Sequence, residues 1–256
     1  MKPLILISND DSINAKGIYH LVNVAKKFGE VVVSAPHFPQ SAKSHAITIA
    51  EPLRMYKSTI FGEDILAYSC TGTPVDCIKL AKNHILKGRK PDLILSGINH
   101  GSNASISVIY SGTMGAALEG AIENIPSIGF SVCDYDHHCE LDHTTALIEK
   151  LIESVLKDGM PAHTAYNVNF PAISEKEIKG IKVCRQQKGA WDESFDLRTD
   201  PYNGEYFWMA GEYRADESAN DTDIYAIENN YASLVPCKPD LTNYDVINKL
   251  KGLESL

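Results

Sequence analysis

The chain has no long apolar run. Nowhere among its 256 residues do the roughly 18 consecutive apolar side chains of a membrane-spanning helix occur, so no membrane partner is expected. Met1-Lys2-Pro3 opens directly into the apolar residues 4–8, without the charged and then apolar pattern of a secretory leader, and a cytoplasmic protein is expected. Cysteine is sparse and unpatterned. None of the six forms a C-x-x-C pair, which argues against a zinc knuckle or a disulfide framework. Free thiols are expected, with Cys70 and Cys77 in segments that read as core. Positive charge is short as well: 24 Lys and Arg stand against 33 Asp and Glu, a net charge of −9, which excludes sequence-blind binding to a nucleic-acid duplex. No G-x-x-x-x-G-K-[ST], G-x-G-x-x-G or G-x-S-x-G occurs, so a P-loop, a dinucleotide fingerprint and a hydrolase nucleophile elbow are all missing.

What is there is an ordinary globular composition, 44% hydrophobic and 22% charged. Residues 4–8 read as a strand buried on both faces of a parallel sheet. Residues 17–28 carry Ile18, Leu21, Val22, Val24 and Ala25 at helical spacing, with Gly29 placed as a C-cap, and 30–35 form the next strand, closed by Pro36. The alternation continues with helices over 74–87, 112–124 and 142–158 and strands over 91–96, 127–132 and 164–170. Such alternation predicts an α/β fold: a Rossmann-like, doubly wound, mostly parallel sheet. After residue 180 the texture changes. A strand over 181–187 and the Asn203-Gly204 hairpin signal predict a C-terminal β-hairpin excursion at 181–213. A helix at 222–229, a strand at 232–235 and a weak helix at 241–253 follow. One domain is expected over 1–256: a core at 1–180, the excursion at 181–213 and a C-terminal segment at 214–256. The aromatic residues Tyr202, Tyr206, Phe207, Trp208 and Tyr213 suit stacking on a nucleobase, or more commonly burial against a partner chain.

In open α/β sheets ligands bind at the carboxyl ends of the strands. Three polar stretches fall there: Asn9-Asp10-Asp11, then Ser96 to Asn103, then Tyr110-Ser111-Gly112-Thr113. An Asn-Asp-Asp turn usually serves only as a turn. Here the helix begins too late for Asp10 to cap it, and adjacent carboxylates with neutral oxygen donors suit a hard divalent cation. Asn99 and the serines near Ala42 supply such oxygens. Ser111-Gly112-Thr113, opening a helix, has the make-up of an anion cradle. The loop Asp134-Tyr135-Asp136-His137-His138-Cys139, followed by Asp142 and His143, is rich in metal-ligand types but irregularly spaced, and reads as a solvated loop.

These residues resemble a known family. S-N-D-D-S-I-N-A-K-G-I at 8–18 resembles the T-N-D-D-G-x-x-A-x-G-I opening of the SurE family of stationary-phase survival proteins. Ala35-Pro36 with Gln40-Ser41, Thr71 to Cys77, Ser96 to Asn103, Tyr110 to Thr113 and Asn167-Val168-Asn169-Phe170-Pro171 match its later motifs in order. The resemblance implies a phosphatase acting on nucleoside 5′-monophosphates, with 3′-monophosphates or polyphosphate as further substrates. It implies one divalent cation per subunit, Mg²⁺ or Mn²⁺, on Asp10, Asp11, Ser41 and Asn99, with phosphate held by Asn103, Ser111, Gly112 and Thr113. Asp10 and Asp11 become the catalytic pair, with Asp11 taking a proton from water. It also implies a homodimer or homotetramer that exchanges the hairpin and the C-terminal segment. The alternative on the same fold is a non-catalytic, oligomeric metal- and phosphate-binding module.

The chain departs from the pattern at Ser12, where the family usually has glycine, so the turn is expected to avoid a glycine-only conformation. Lys43 stands in an altered Ala42-Lys43-Ser44 segment, facing either the phosphate or solvent. Residues 229–236 lack the usual glycine before the last strand.

Overall fold

Residue alternation in the first strand sets up the whole molecule. In the computed structural model, which describes residues 2–173 and 178–255, β1 (Leu4–Ser8) is buried throughout. Successive side chains of a strand point to opposite faces. Ile5 and Ile7 therefore join Ile18 and Leu21 of α1 (Lys16–Ala25) in one core, while Leu4 and Leu6 join a second. A strand apolar on both sides needs helices on both sides, and that requirement produces the doubly wound arrangement.

The elements follow as β2 (Glu30–Pro36), β3 (Met55–Ser58), β4 (Leu66–Cys70), α2 (Pro74–Leu80), β5 (Leu93–His100), α3 (Gly112–Ile122), β6 (Ser127–Val132), α4 (Thr145–Asp158) and β7 (Ala165–Phe170). Then come β8 (Ile181–Val183), β9 (Gly189–Thr199), β10 (Glu205–Ala215), α5 (Asp223–Glu228), β11 (Ala232–Cys237) and α6 (Tyr244–Leu250). Nine strands form one sheet in the order β3-β4-β2-β1-β5-β6-β7-β11-β8, and β9 and β10 form a separate ribbon. Within the nine-stranded sheet pairing is parallel except at β3 with β4 and β7 with β11, and the ribbon is antiparallel. Helices α1 and α4 cover one face through Leu21, Ile148 and Ile152, and α2 and α3 cover the other through Ile78 and Ala116. Each such buried Leu or Ile contributes about 1.5–3 kcal/mol of transfer free energy. No described helix is long and apolar enough to cross a membrane, and the six cysteines are free thiols.

Several expectations are corrected. The first helix ends at Ala25 with Lys26 as its cap, so Gly29 is not a C-cap. A Cβ at Gly29 would lie 2.2 Å from the Pro3 carbonyl oxygen, so this glycine lets the chain pass the start of β1. The helix from Pro74 keeps its capping box of Thr73 and Asp76 but continues as a π-helical stretch over Ala81–Ile85. Residues 37–73 hold β3 and β4, two short strands that hydrophobic periodicity did not reveal. Residues 181–183 pair with β11 in the main sheet, so the ribbon spans 189–215. Its turn is a loop at 200–204, where the Asp200 carboxylate accepts from the amides of Tyr202 and Gly204 at 2.8 Å, rather than a two-residue Asn-Gly turn.

Candidate metal and phosphate site

Asn9, Asp10, Asp11 and Ser12 leave the carboxyl end of β1 and are all buried. The expected relaxed turn at Ser12 is not found. Its φ is +87°, in the left-handed region that disfavours an L side chain. The neighbouring contacts hold it there: Asn9 Nδ2 donates to the Ser12 carbonyl at 2.8 Å, and the Ala15 amide donates to the same oxygen at 3.2 Å.

Asp10 faces the start of α3. Thr113 donates to it twice, through Oγ1 at 2.6 Å and the backbone amide at 3.1 Å. Gly112 makes that approach possible, because a Cβ there would lie 2.9 Å from Asp10 Cβ and 3.1 Å from Oδ2. Burial and the neighbouring Asp11 carboxylate push the Asp10 carboxyl up to about 6, against the lowering effect of the Thr113 bonds. Asp11 Oδ2 accepts from the His100 amide at 3.2 Å and lies 3.4 Å from His100 Nδ1. Among the described residues, no Lys or Arg lies within ion-pair distance of Asp10 or Asp11.

The neutral donors converge on the same place. Asn99, at the end of β5, gives its Nδ2 to the Gly101 carbonyl at 2.7 Å, which leaves Oδ1 as an oxygen ligand. The Gln40 amide donates to the Asp10 carbonyl at 2.7 Å, fastening the exposed Ser41 loop beside the pair. Ser111 caps α3 by accepting from the Met114 amide at 3.0 Å. A cavity of about 490 Å³ is lined by Asp10, Ser41, Asn99, Asn103 and Ser111, and on its far wall by Trp191 and Met209 of the ribbon. Gly112 and Thr113 stand behind Asp10, and both Thr113 donors are engaged by that carboxylate. Lys43 is exposed.

Two carboxylates side by side, both buried and neither met by Lys or Arg among the described residues, suit a divalent cation. The amide and hydroxyl oxygens of Asn99 and Ser41 complete a donor set of the hard, oxygen-rich kind.

Periodicity does not reveal the supports. Asn103 is fixed on three sides: its amide donates to Asn169 Oδ1, its carbonyl accepts from Asn167 Nδ2, and its Nδ2 donates to Ser131 Oγ, each at 2.8 Å. Asp223, buried at the start of α5, accepts from the amides of Ser105 at 2.8 Å and Gln187 at 2.9 Å. It thereby ties the base of the ribbon to the loop before α3. The Asn-Val-Asn run was visible as a motif, but its target Asn103 is more than sixty residues away in sequence. The loop read as merely solvated also brings one residue inward, since the His137 ring centroid lies 5.1 Å from that of His100.

Fold and site define an α/β protein that gathers acidic and amide side chains at the carboxyl ends of its central parallel strands, above a helix N-terminus. The family model for "Survival protein SurE" matches residues 5–193. The chain is 53% identical over 249 residues to a protein of Cytophaga hutchinsonii named 5′-nucleotidase SurE, covering 97% of this chain and 96% of that one. It is 51% identical over 249 residues to a Flavobacterium johnsoniae protein of the same name, again with 97% and 96% covered. The crystal structure of the SurE protein from Aquifex aeolicus superposes with a TM-score of 0.84 at 40% identity, covering 98% of this chain and all of that one. The chain belongs to the SurE family.

Proposed function

We propose that the chain is a divalent-cation-dependent 5′-nucleotidase that hydrolyses nucleoside 5′-monophosphates to nucleoside and phosphate. One observation carries the reading: of the buried Asp10–Asp11 pair, which no Lys or Arg approaches among the described residues, Asp10 opens on the cavity lined by Ser41, Asn99, Asn103 and Ser111. The naming of full-length relatives as 5′-nucleotidases supports it.

Asp10, Asp11, Ser41 and Asn99 would hold one Mg²⁺ or Mn²⁺, which when bound supplies Lewis-acid polarisation of a phosphoryl oxygen and a positioned water. Asn103 offers its second Nδ2 hydrogen to the phosphate. Ser111 offers its hydroxyl proton, since its oxygen already accepts from Met114. The Gly112 amide, at the helix N-terminus, adds a third donor. Thr113 orients the Asp10 carboxylate rather than meeting phosphate directly. Asp11, with Oδ2 held by the His100 amide, keeps Oδ1 to accept a proton from the attacking water. Trp191 and Met209 give the nucleoside an apolar wall.

The test is phosphate release from a panel of nucleoside 5′- and 3′-monophosphates and polyphosphate, first with EDTA and then with Mg²⁺ or Mn²⁺ restored. Release from 5′-monophosphates only with the cation is expected. Release that survives chelation, or never appears with either cation, refutes the reading. Asp11→Asn is expected to lower turnover by about 10²–10⁴-fold. Its melting temperature should stay level or rise, because the substitution removes repulsion between buried like charges.

A further inference from the structure

We propose that Asp11, His100 and His137 bind a second divalent cation, one of the transition metals that imidazole prefers, beside the acidic site and sharing its Asp11 carboxylate. One ligand atom from each of these residues lies within 4.8 Å of the other two. Two imidazoles and a carboxylate with an open position form the donor set of catalytic zinc-type sites, whereas Mg²⁺ and Ca²⁺ select oxygen. The two sites therefore differ in chemistry as well as in place.

His100 supplies an independent observation. Its side chain is only 1% exposed, and its Nε2 is buried with no hydrogen-bond partner. The other nitrogen, Nδ1, stands 3.4 Å from Asp11 Oδ2, longer than the ~2.9 Å of an N–H···O bond. A buried imidazole normally has its tautomer fixed by a strong bond to one nitrogen. This ring has none, so a lone pair remains available. The spacing itself fits a shared ion, because two ligand atoms about 2.1 Å from a tetrahedral cation lie about 3.4 Å apart. His137, exposed on the Asp134–Cys139 loop, brings its ring centroid to 5.1 Å from that of His100.

The surrounding space separates the two positions. Asp11, His100 and His137 line a cavity of about 720 Å³, while Asp10, Asn99 and Asn103 line the other, and Ser41 and His100 border both. Asp10 thus lines one cavity and Asp11, its neighbour in the chain, lines the other, which places Asp11 between the two cation positions. A carboxylate shared by two cations is the arrangement of two-metal phosphoryl-transfer centres. The proposal rests on the reading of Asp10–Asp11 as a cation site only in that the two share Asp11.

The test uses Co²⁺ as probe on the full chain, stripped with EDTA and then held in saturating Mg²⁺. Equilibrium dialysis counts bound Co²⁺, and visible ligand-field absorption reports its ligands. One Co²⁺ per chain is expected alongside Mg²⁺. His137→Ala should weaken its binding by at least about 10-fold and shift the bands, as loss of an imidazole ligand does. Asn99→Ala, altered only on the acidic side, should leave Co²⁺ uptake unchanged. Co²⁺ that Mg²⁺ displaces completely, or uptake that His137→Ala does not change, overturns the proposal. Absence of Mg²⁺ binding with His137-dependent Co²⁺ uptake intact would instead refute the acidic site alone.

Discussion

At the scale of single residues, Ser12 is where local preference and site geometry conflict. An L side chain in the left-handed region costs about 1–2 kcal/mol, and Ser12 sits there at φ +87°. The Asn9 and Ala15 bonds to its carbonyl belong to the backbone and survive any substitution, while its hydroxyl receives only a long 3.4 Å contact from the Asn14 amide. Ser12→Gly should therefore stabilise the protein, offset in part by the greater freedom of glycine in the unfolded chain. A net gain of up to about 1 kcal/mol is expected, read as a melting temperature raised by about 2 °C. A fall in melting temperature would show that the hydroxyl, not the backbone, holds the turn. The sequence signalled a conflict at this position, but the side on which it resolves depends on Asn9, which only the folded turn brings to the Ser12 carbonyl.

At the scale of elements, β7 positions the candidate phosphate site without lining it. Asn169 and Asn167 are buried side by side, Asn169 Nδ2 donating to Asn167 Oδ1 at 3.0 Å, and together they clamp the Asn103 backbone. Asn169→Ala is expected to leave the Asn103 amide unpaired and the Asn103 side chain poorly aimed. Turnover should fall by about 10-fold or more with cation affinity unchanged, because 1 Å of misplacement is enough to cost catalysis. Loss of cation affinity to the same extent would mean that β7 supports the metal side instead.

Helix α3 is anchored at Glu119, which is buried and meets Lys79 of α2 at 2.5 Å and His45 at 3.0 Å. Burial raises its pKa, but the His45 and Lys79 contacts outweigh that, and the carboxyl sits below its ordinary 4.5. A lowered carboxylate pKa adds stability that is complete above the unfolded value and is lost as pH falls through the folded one. Lys79 and His45 keep partial access to water, so the contribution is discounted to about 1–2 kcal/mol. Glu119→Gln should melt below the parent at pH 7, and the gap should close as the pH drops below about 4.5. A gap independent of pH would assign the loss to packing.

The elements legible in the sequence were those with a strong period or a clear stop. Residues 4–8 carry a short apolar run, 127–132 alternate apolar with small residues and 112–124 are rich in Ala and Gly, and the structure places β1, β6 and α3 there. The four residues of β3 and five of β4 give no period to read. Within the candidate site, the stretches that hold Asp10, Asn99 and Ser111 were legible because they follow or end a strand or cap a helix, while Asn103 stood out only through the family resemblance. Asp223 and His137 were not, because what they touch is set by how the ribbon base and a loop settle on the sheet.

At the scale of the whole molecule, the ribbon joins the candidate site to an exposed apolar face. Its register sets Phe207 opposite Leu197 and Met209 opposite Phe195, and alternation puts all four on one face. Continued inward, that face carries Trp191 and Tyr213, where Trp191 Nε1 donates to Ser107 Oγ at 3.3 Å and Tyr213 meets Ser105 Oγ at 2.7 Å. Its inner part is thus docked beside the cavity, while Phe195, Leu197, Phe207 and Met209 lie exposed. A two-stranded ribbon is marginal alone, and a contiguous apolar face on one calls for cover. A second copy of the chain is the proposed cover, which accounts for a ribbon eleven residues long on each strand. The double variant Phe195→Ser with Phe207→Ser should lower the mass measured by light scattering from an oligomer to a single chain. Arg198→Ala, on the opposite face, should leave it unchanged. Because Met209 lines the cavity from this same ribbon, loss of the partner should also raise KM for nucleotide more than it lowers kcat. A wild-type mass of one chain would refute the assembly, and a dissociated variant with unchanged KM would show that the ribbon keeps its place at the cavity without a partner.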